Sequence, residues 1–239
     1  SDINFPIAVV YPGVEGSDPA WQRRRAAVDG NGYHPESANL ARFVSHDELR
    51  YSLRSVYMNM PWIRNIYLVT DQQVPHWLAT DVPGLHVVDH RDIFADTKML
   101  PVFNSHAIET QLHHIDGLAE HFIYLNDDVC IGAPVTPNQF FLANGISKFF
   151  PSTALVPFGE PADIDIPSSA AGKNNRVLIE REFGTLLTHK MKHVAHALQR
   201  SVLYEIEERF ADAHRTTASN RLRDSTDISV TSSVHHYYA

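Results

Sequence analysis

The stretch Phe122–Val129 reads FIYLNDDV and sets a short apolar run directly before two adjacent carboxylates. An apolar run of this length, rich in aromatic and β-branched residues, is typical of a buried strand. The carboxylates of Asp127 and Asp128 repel each other, so the pair is expected either to end the strand in solvent or to bind a cation. From these residues alone both interpretations stay open.

Three earlier segments have the same strand-like character. They are Ile7–Val14 (IAVVYPGV), Ile63–Thr70 (IRNIYLVT) and Leu85–Asp89 (LHVVD). Between the strands the sequence predicts a helix from Pro19 to Arg25, with Ser17 or Asp18 as its N-cap. A second helix is expected to begin at a capping box in Ser45–Glu48 and to end at Pro61. A short helical turn at Pro75–Ala79 and a helix from Asn104–Ser105 to about Ile115 follow. Strands that alternate with helices predict an α/β fold around a mainly parallel, Rossmann-like sheet.

The C-terminal part of the chain has a different pattern. Residues 157–175 are rich in Pro, Ser, Ala and Gly, which predicts a loop or linker. Helices are predicted over Arg176–Leu187, over Leu198–Ala211 and over the tail from Asp227 to Ala239. We therefore expect an α/β core over residues 1–156, a linker over 157–175 and a helical segment over 176–239 that completes the site, all in one compact domain.

Composition excludes some classes of protein. A chain of 239 residues that is 44% hydrophobic can bury a full core, and its net charge of −8 argues against nucleic-acid binding. The single cysteine, Cys130, favours a reducing compartment. No apolar run approaches the roughly 20 residues that span a bilayer, and the N-terminus lacks the pattern of a signal peptide. We expect a cytoplasmic protein without a transmembrane segment, with peripheral attachment at the inner membrane face as the alternative.

Several polar groups are expected where the strands end, because ligands of open α/β sheets bind beyond the carboxyl ends of the strands. Asp127 and Asp128 would offer Mg²⁺ or Mn²⁺ two carboxylates and leave room for phosphate oxygens. The helix N-terminus at Asn104–Ser105 would offer N–H groups to a phosphate or a sugar hydroxyl. Glu109 lies one turn further on, and an exposed helical acid is the simpler interpretation of that residue.

Two further groups have a structural and a functional interpretation. Arg50 and Arg54 are four residues apart on one helix, so they either face solvent or bind phosphate oxygens together. His189, His193 and His196 have spacings seen in zinc sites, but no thiolate or carboxylate follows to complete such a site. Neighbouring lysines would lower the pKa of His193, which favours the neutral form that acts as a general base.

Blocks of this sequence, in the same order, resemble the Stealth family of sugar-phosphate transferases. The family contains bacterial capsule hexose-1-phosphate transferases and the animal GlcNAc-1-phosphotransferase that marks lysosomal enzymes. The blocks are Val9–Trp21 (VVYPGVEGSDPAW), Arg42–Leu78 (RFVSHDELRYSLRSVYMNMPWIRNIYLVTDQQVPHWL), Leu100–Val129 (LPVFNSHAIETQLHHIDGLAEHFIYLNDDV), Lys192–Val202 (KHVAHALQRSV) and Arg221–Ser229 (RLRDSTDIS).

This resemblance implies transfer of a sugar 1-phosphate from a UDP-sugar to a glycan hydroxyl, with release of UMP. It implies four catalytic roles: Asp128 as Mg²⁺ ligand, Glu109 as donor contact, His193 as base on the acceptor hydroxyl and Arg223 as phosphate contact. Asp127 would assist in holding the metal. The expected substrate-binding residues are Tyr11, Arg50, Arg54, Asn104, Ser105, Asn126, His196 and Arg221. Phosphoryl transfer depends mainly on charge neutralisation and alignment, which such residues can supply.

The sequence also departs from the family pattern. Ala8 replaces the Asp of the first block, Pro12-Gly13 replace a Thr-Trp pair, and Ala195 replaces a Pro between two histidines. The fourth block of the family is absent from this sequence. Three hypotheses follow: an active sugar-1-phosphate transferase, a catalytically silent UDP-sugar-binding or scaffolding protein, and a metal-dependent glycosyltransferase that releases UDP. A UDP-sugar donor, a glycan acceptor and a possible homo-oligomeric partner are the expected interactions.

Overall fold

The central sheet of the protein has five strands. The computed structural model describes residues 2–13, 16, 18–30, 47–155, 167–184, 189–191 and 194–239. The strands of this sheet are β1 (Ile7–Pro12), β2 (Asn65–Thr70), β3 (Leu85–Asp89), β4 (His121–Tyr124) and β7 (His196–Gln199). Their spatial order is β3-β2-β1-β4-β7. β1 to β4 are parallel and β7 is antiparallel to β4, which confirms the predicted mainly parallel α/β fold.

A second sheet of two antiparallel strands consists of β5 (Pro151–Leu155) and β6 (His189–Met191). The sequence predicted neither strand, nor β7. The three are short, at three to five residues, so none has an alternating or continuous apolar pattern long enough to be recognised.

Helices cover both faces of the central sheet. They are α1 (Pro19–Asp29), α2 (Glu48–Asn59), α3 (His90–Ile93), α4 (Ser105–Glu109), α5 (Pro167–Phe183), α6 (Arg200–Arg209), α7 (Ala211–Ser219) and α8 (His235–Tyr238). Single turns of 3₁₀-helix lie at Thr97–Met99, Leu112–His114 and Pro137–Gln139, and a π-helical turn at Val230–Val234. None of the helices in these ranges is long and apolar enough to cross a membrane.

The central strands are buried on both sides, which explains their continuous apolar sequence. Along β1, Ala8 and Val10 pack into one core and Val9 into the other, because successive side chains point to opposite faces. The first core is completed by residues of α4, α5 and α6. The second is completed by residues of α2, including Leu53 and Val56.

The predicted start of α1 is confirmed. Asp18 is the N-cap and its carboxylate accepts a hydrogen bond from the N–H of Ala20, while Pro19 occupies the first turn. The helix continues past the predicted end and stops at Asp29, where Gly30 adopts a left-handed backbone with φ of 73°. Glycine is favoured there because it has no Cβ to strain that conformation.

The predicted capping box of α2 is wrong. The helix begins at Glu48, so Asp47 is the N-cap and Glu48 occupies the first helical position instead of the third. Asp47 has φ of 60° and its side chain makes no capping hydrogen bond. Ser45 lies outside the described residues. The apolar positions and the end of the helix before Pro61 agree with the prediction.

Two further predictions are corrected by the structure. The helix expected to reach Ile115 ends at Glu109, since the N–H of Thr110 bonds the carbonyls of both His106 and Ala107 and so tightens the last turn. The predicted turn at Pro75–Ala79 contains only a hydrogen bond from the Leu78 N–H to the Pro75 carbonyl.

The C-terminal predictions are partly wrong as well. The predicted linker is helical from Pro167 onward, and Ala170 and Ala171 of this helix are buried. Residues 157–166 lie outside the described residues. The helix expected from Leu198 starts two residues later, since Leu198 belongs to β7 and pairs with Phe122.

Candidate functional site

The carboxyl ends of the four parallel strands define one edge of the central sheet, hereafter the carboxyl edge. After β2 and β3, the carboxylates at this edge have partners within the protein. Asp71 accepts a hydrogen bond from Arg24 at 3.1 Å, and Asp89 accepts one from Arg91 at 2.9 Å. These acids are neutralised by arginines, so they stabilise the ends of β2 and β3.

The carboxylates that follow β4 are in a different electrostatic setting. Burial, then the charges of Asp128 and Glu48, raise the pKa of Asp127 to about 6. Asp128 is exposed and Asp127 is half-buried. Three acidic side chains therefore lie near the turn after β4, and their repulsion adds to the larger effect of burial on the pKa of Asp127. A hard divalent cation prefers such carboxylates, so this donor set fits Mg²⁺ or Mn²⁺.

A buried tyrosine–carboxylate pair lies beside this acidic turn. The hydroxyl of Tyr124, the last residue of β4, donates to Glu109 Oε1 at 2.8 Å. Burial first, and then the charge of Glu109, hold the pKa of Tyr124 well above its usual range. The second carboxylate oxygen, Glu109 Oε2, is buried and has no hydrogen-bond partner among the described residues. That oxygen can accept a hydrogen bond from a bound hydroxyl or water.

Arg223 lies close to the same pair. Its guanidinium donates to Ser105 Oγ at 3.2 Å, and its charge opposes the raised pKa of Tyr124. Asp127 also acts on the pKa of Tyr124. The structure thus brings Glu109, Arg223 and Asp127 together around Tyr124, although they are far apart in sequence.

A buried aspartate that sequence reasoning missed holds Arg223 in place. Asp227 has no exposed surface and accepts hydrogen bonds from Asn104 at 2.9 Å and from Asn220 at 2.8 Å. Its carboxylate also lies 3.2 Å from His106 Nδ1 and accepts from the backbone N–H of Asp224. The sequence around it, Ser225–Ser229 (STDIS), has no pattern that singles out Asp227.

Two predicted substrate contacts, Asn104 and Tyr11, are buried and make internal hydrogen bonds. Asn104 is fully buried: its side chain donates to Asp227 and to the Asn220 carbonyl and accepts from the His106 N–H. Tyr11 is also fully buried, and its hydroxyl is 2.8 Å from Ser52 Oγ, which donates to the Val129 carbonyl. Asn104 therefore orients the loop of Arg223, and Tyr11 supports the acidic turn.

Arg50 and Arg54 lie at a separate cleft. They line a cavity of about 210 Å³ together with Trp77 and apolar residues between β2 and β3. The described lining does not include Asp127 or Glu109. The opposite side of α2 contacts the acidic turn through Ser52, so the helix separates the two regions.

The remaining candidates have varied positions. His196 pairs in register with Tyr124 and its ring is buried, with Nδ1 at 3.0 Å from His236 Nε2. Arg221 is exposed and donates to the Lys98 carbonyl at 2.8 Å. Asn126 lies in the turn after β4, where its carbonyl accepts from the Val129 N–H. His193, the expected base, lies outside the described residues.

Comparison with known families settles the relationship. Residues 42–149 match the model of Stealth protein conserved region 2, and residues 192–239 match that of conserved region 3. Together the two matches cover more than half of the chain. The chain belongs to the Stealth family. The resemblance inferred from the sequence blocks is thereby confirmed.

Stealth relatives with assigned names are similar along the whole of this chain. An exopolysaccharide phosphotransferase of Streptomyces coelicolor is 60% identical over 236 residues, which is 98% of this chain and 39% of that protein. A second one from the same organism is 57% identical, over 100% of this chain and 40% of the relative. The exopolysaccharide phosphotransferase CpsY of Mycobacterium tuberculosis is 42% identical, over 100% and 45%. The chain thus spans less than half the length of these relatives.

The Ala8 departure from the Stealth pattern has a different meaning in the structure. Ala8 is the second residue of β1, is 1% exposed and pairs with Phe122 in the core. It lies four residues before the end of the strand at Pro12. A carboxylate at this position would lie inside the core, and the expectation that Ala8 removes a charge beside the donor and metal stays a prediction.

Replacing Asn104 by Ala is expected to lower the free energy of unfolding by about 2–3 kcal/mol, because buried Asp227 and the Asn220 carbonyl lose a donor. Denaturant unfolding measures this change. Asn126→Ala, at a half-exposed position, is the control and should change stability by about 0.5 kcal/mol or less. If Asn104 were a substrate contact instead, Asn104→Ala would reduce substrate affinity and leave stability near that of the control.

Proposed function

We propose that this Stealth chain transfers a hexose or hexosamine 1-phosphate from a UDP-sugar to a glycan hydroxyl, with release of UMP, in exopolysaccharide or capsule synthesis. The observation that carries the proposal is the convergence of Glu109, Arg223 and the Asp127–Asp128 pair at the carboxyl edge. The names of the relatives, exopolysaccharide phosphotransferases, support the same class of reaction.

Asp127 and Asp128 are the residues that would hold Mg²⁺ or Mn²⁺. When bound, such a cation supplies positive charge to the oxygens of a diphosphate. The fit rests on the carboxylates of the turn, where burial and then the charges of Asp128 and Glu48 raise the pKa of Asp127. Asp71 and Asp89 are poorer candidates because arginines already pair with them.

Arg223 is proposed to bind the phosphate that is transferred. A guanidinium donates several hydrogen bonds in one plane, which matches phosphate oxygens. Ser105 holds Arg223 from the N-terminal end of α4, and Asp227 fixes the loop that carries it. These contacts limit the side-chain freedom that Arg223 would lose on binding, so the phosphate contact is partly preorganised.

Glu109 and Tyr124 are proposed to orient a hydroxyl of the sugar donor. Tyr124 occupies one oxygen of the Glu109 carboxylate and leaves Oε2 available as an acceptor inside a buried site. His193 stays the candidate base that removes the proton from the acceptor hydroxyl. The Arg50–Arg54 cleft, with Trp77 on its wall, is proposed to receive another anionic or aromatic part of the substrates. The cytoplasmic location expected from the single cysteine stays a prediction.

The test is nucleotide release. The protein would be incubated with UDP-GlcNAc, Mg²⁺ and a panel of glycan acceptors, and the nucleotide product identified by chromatography. UMP is expected from the unmodified chain, on the order of 10³-fold less from Asp128→Asn and His193→Gln, and an unchanged amount from Asp212→Asn, an exposed acid on α7. Release of UDP would assign the protein to the glycosyltransferases, and bound UDP-GlcNAc without any product would assign it to silent binders.

A further inference from the structure

A second cluster of metal-ligating side chains lies between the 3₁₀ turn at Leu112–His114, α6 and α7. One donor atom from each of His113, Glu207 and His214 lies within 4.8 Å of the other two. None of these residues belongs to the carboxyl-edge site. The carbonyl of His113 accepts from Arg200, whose N–H bonds the carbonyl of Glu120 just before β4, so His113 lies toward the amino end of that strand.

We propose that His113, Glu207 and His214 form a binding site for one divalent transition-metal ion of the Zn²⁺ class. Two imidazoles and one carboxylate are a donor set that favours Zn²⁺ over Mg²⁺ or Ca²⁺, which prefer oxygen ligands only. In a tetrahedral Zn²⁺ site, ligand atoms about 2.1 Å from the ion are about 3.4 Å from one another. The three donor atoms here lie within 4.8 Å of one another, so small side-chain rotations would bring them into contact with an ion.

The strongest evidence for the site is the orphaned nitrogen of His214. This side chain is only 3% exposed, and its Nε2 is buried without a hydrogen-bond partner among the described residues. The ring also has a backbone contact with Thr110, and a metal-binding histidine usually anchors its second nitrogen on the protein in such a way. A hydrogen-bonded cluster without a metal leaves Nε2 unsatisfied.

The carboxylate is placed to serve as the second kind of ligand. Glu207 accepts hydrogen bonds from His113 Nε2 and, at 2.9 Å, from His114 Nε2. Its side chain is one-third exposed, which leaves a route for the ion and a position for a water ligand. A bound ion would replace the direct bond between Glu207 and His113, while the bond to His114 could persist and orient the carboxylate.

Two features of the surroundings bear on affinity. The positive charge of Arg200 acts on His113 and weakens cation binding, whereas the charge of Glu207 favours it. The site links the 3₁₀ turn to α6 and α7, so a bound ion would tie the C-terminal helices to the segment that precedes β4. The proposal concerns a site separate from the transfer chemistry and is independent of the proposed function.

Metal titration tests the site. The chain would be freed of metal with a chelator and titrated with Zn²⁺, and separately with Co²⁺, in a large excess of Mg²⁺ that occupies oxygen sites. We expect one equivalent of Zn²⁺ per chain, visible Co²⁺ absorption bands typical of four-coordinate nitrogen and oxygen ligands, and a rise in Tm of about 5 °C at saturating Zn²⁺. His214→Gln and Glu207→Gln should each weaken Zn²⁺ binding at least 10-fold, and His76→Gln, an exposed histidine, should not.

Circular dichroism would confirm that each variant is folded. Failure of the unmodified chain to bind Zn²⁺ or Co²⁺ in excess Mg²⁺ overturns the proposal and leaves a hydrogen-bonded histidine–glutamate cluster only. Binding of equal strength in His214→Gln, Glu207→Gln and His76→Gln also overturns it, because the ion would then occupy a different site.

Discussion

Asp127→Asn is expected to abolish stabilisation by Mg²⁺ and to make the metal-free protein more stable above pH 6. The pKa of Asp127 in the folded protein is raised from 3.8 to about 6, so protonation stabilises the fold below 3.8 and that stability is lost as the pH rises through about 6. An uncharged amide removes the repulsion from Asp128 and Glu48. Because Asp127 is partly exposed, the gain at pH 7.5 is about 1–2 kcal/mol instead of the full shift.

The measurement is thermal unfolding of both proteins at pH 5 and pH 7.5, with chelator and with Mg²⁺. At pH 7.5 with chelator the variant should unfold at the higher temperature, and the difference should shrink at pH 5. With Mg²⁺ only the unmodified chain should gain stability. Asp212→Asn is the matched control.

A variant that is less stable than the unmodified chain at pH 7.5 without metal would show that Asp127 stabilises the fold, and the cation site would have to be sought elsewhere. Transfer activity of Asp127→Asn should fall on the order of 10³-fold.

Ala8→Asp is expected to lower stability by roughly 4 kcal/mol or more, which corresponds to a fall in Tm of roughly 10 °C. Ala8 is 1% exposed in the core, in the same apolar cluster as Phe122 and Val10, so a new carboxylate would lie among apolar side chains. A buried unpaired carboxyl has a raised pKa, so the loss should be larger at pH 7.5 than at pH 5. Denaturant unfolding at the two pH values measures it.

Ala8→Asn is the matched control, because it adds the same volume without a charge. Its cost should not grow between pH 5 and pH 7.5. The opposite result, a stable Ala8→Asp chain with increased transfer activity, would mean that position 8 does face the donor and metal, and would restore the interpretation that this chain has an impaired site.

Much of the fold followed from local patterns. The apolar runs of β1 to β4 and the capped start of α1 were predicted at nearly their observed bounds, since buried strands and N-caps have strong local signals. The predictions failed where tertiary contacts overrode composition. The small residues before Arg176 are packed in α5, and Leu198 is drawn into β7 by pairing with β4.

The candidate site, like the fold, could be predicted only in part from the sequence. Asp127, Asp128, Glu109 and Arg223 were singled out from residue type and family resemblance, and their spatial proximity could only come from the fold. The structure also showed that two candidates, Asn104 and Tyr11, are interior residues. Asp227 and the His113–Glu207–His214 cluster had no recognisable spacing, because their members are brought together from segments that are distant in the chain.

The amino-acid sequence by itself determined the class of fold, the family and the acidic turn after β4, because each depends on residues close together in the chain. Only the tertiary structure decided which polar residues are buried in internal hydrogen bonds. It also decided that Ala8 belongs to the core. Burial and pairing depend on contacts between segments that are distant in the chain. Here α4 contacts the loop at Arg223, and β4 pairs with β7, because of how the whole chain packs.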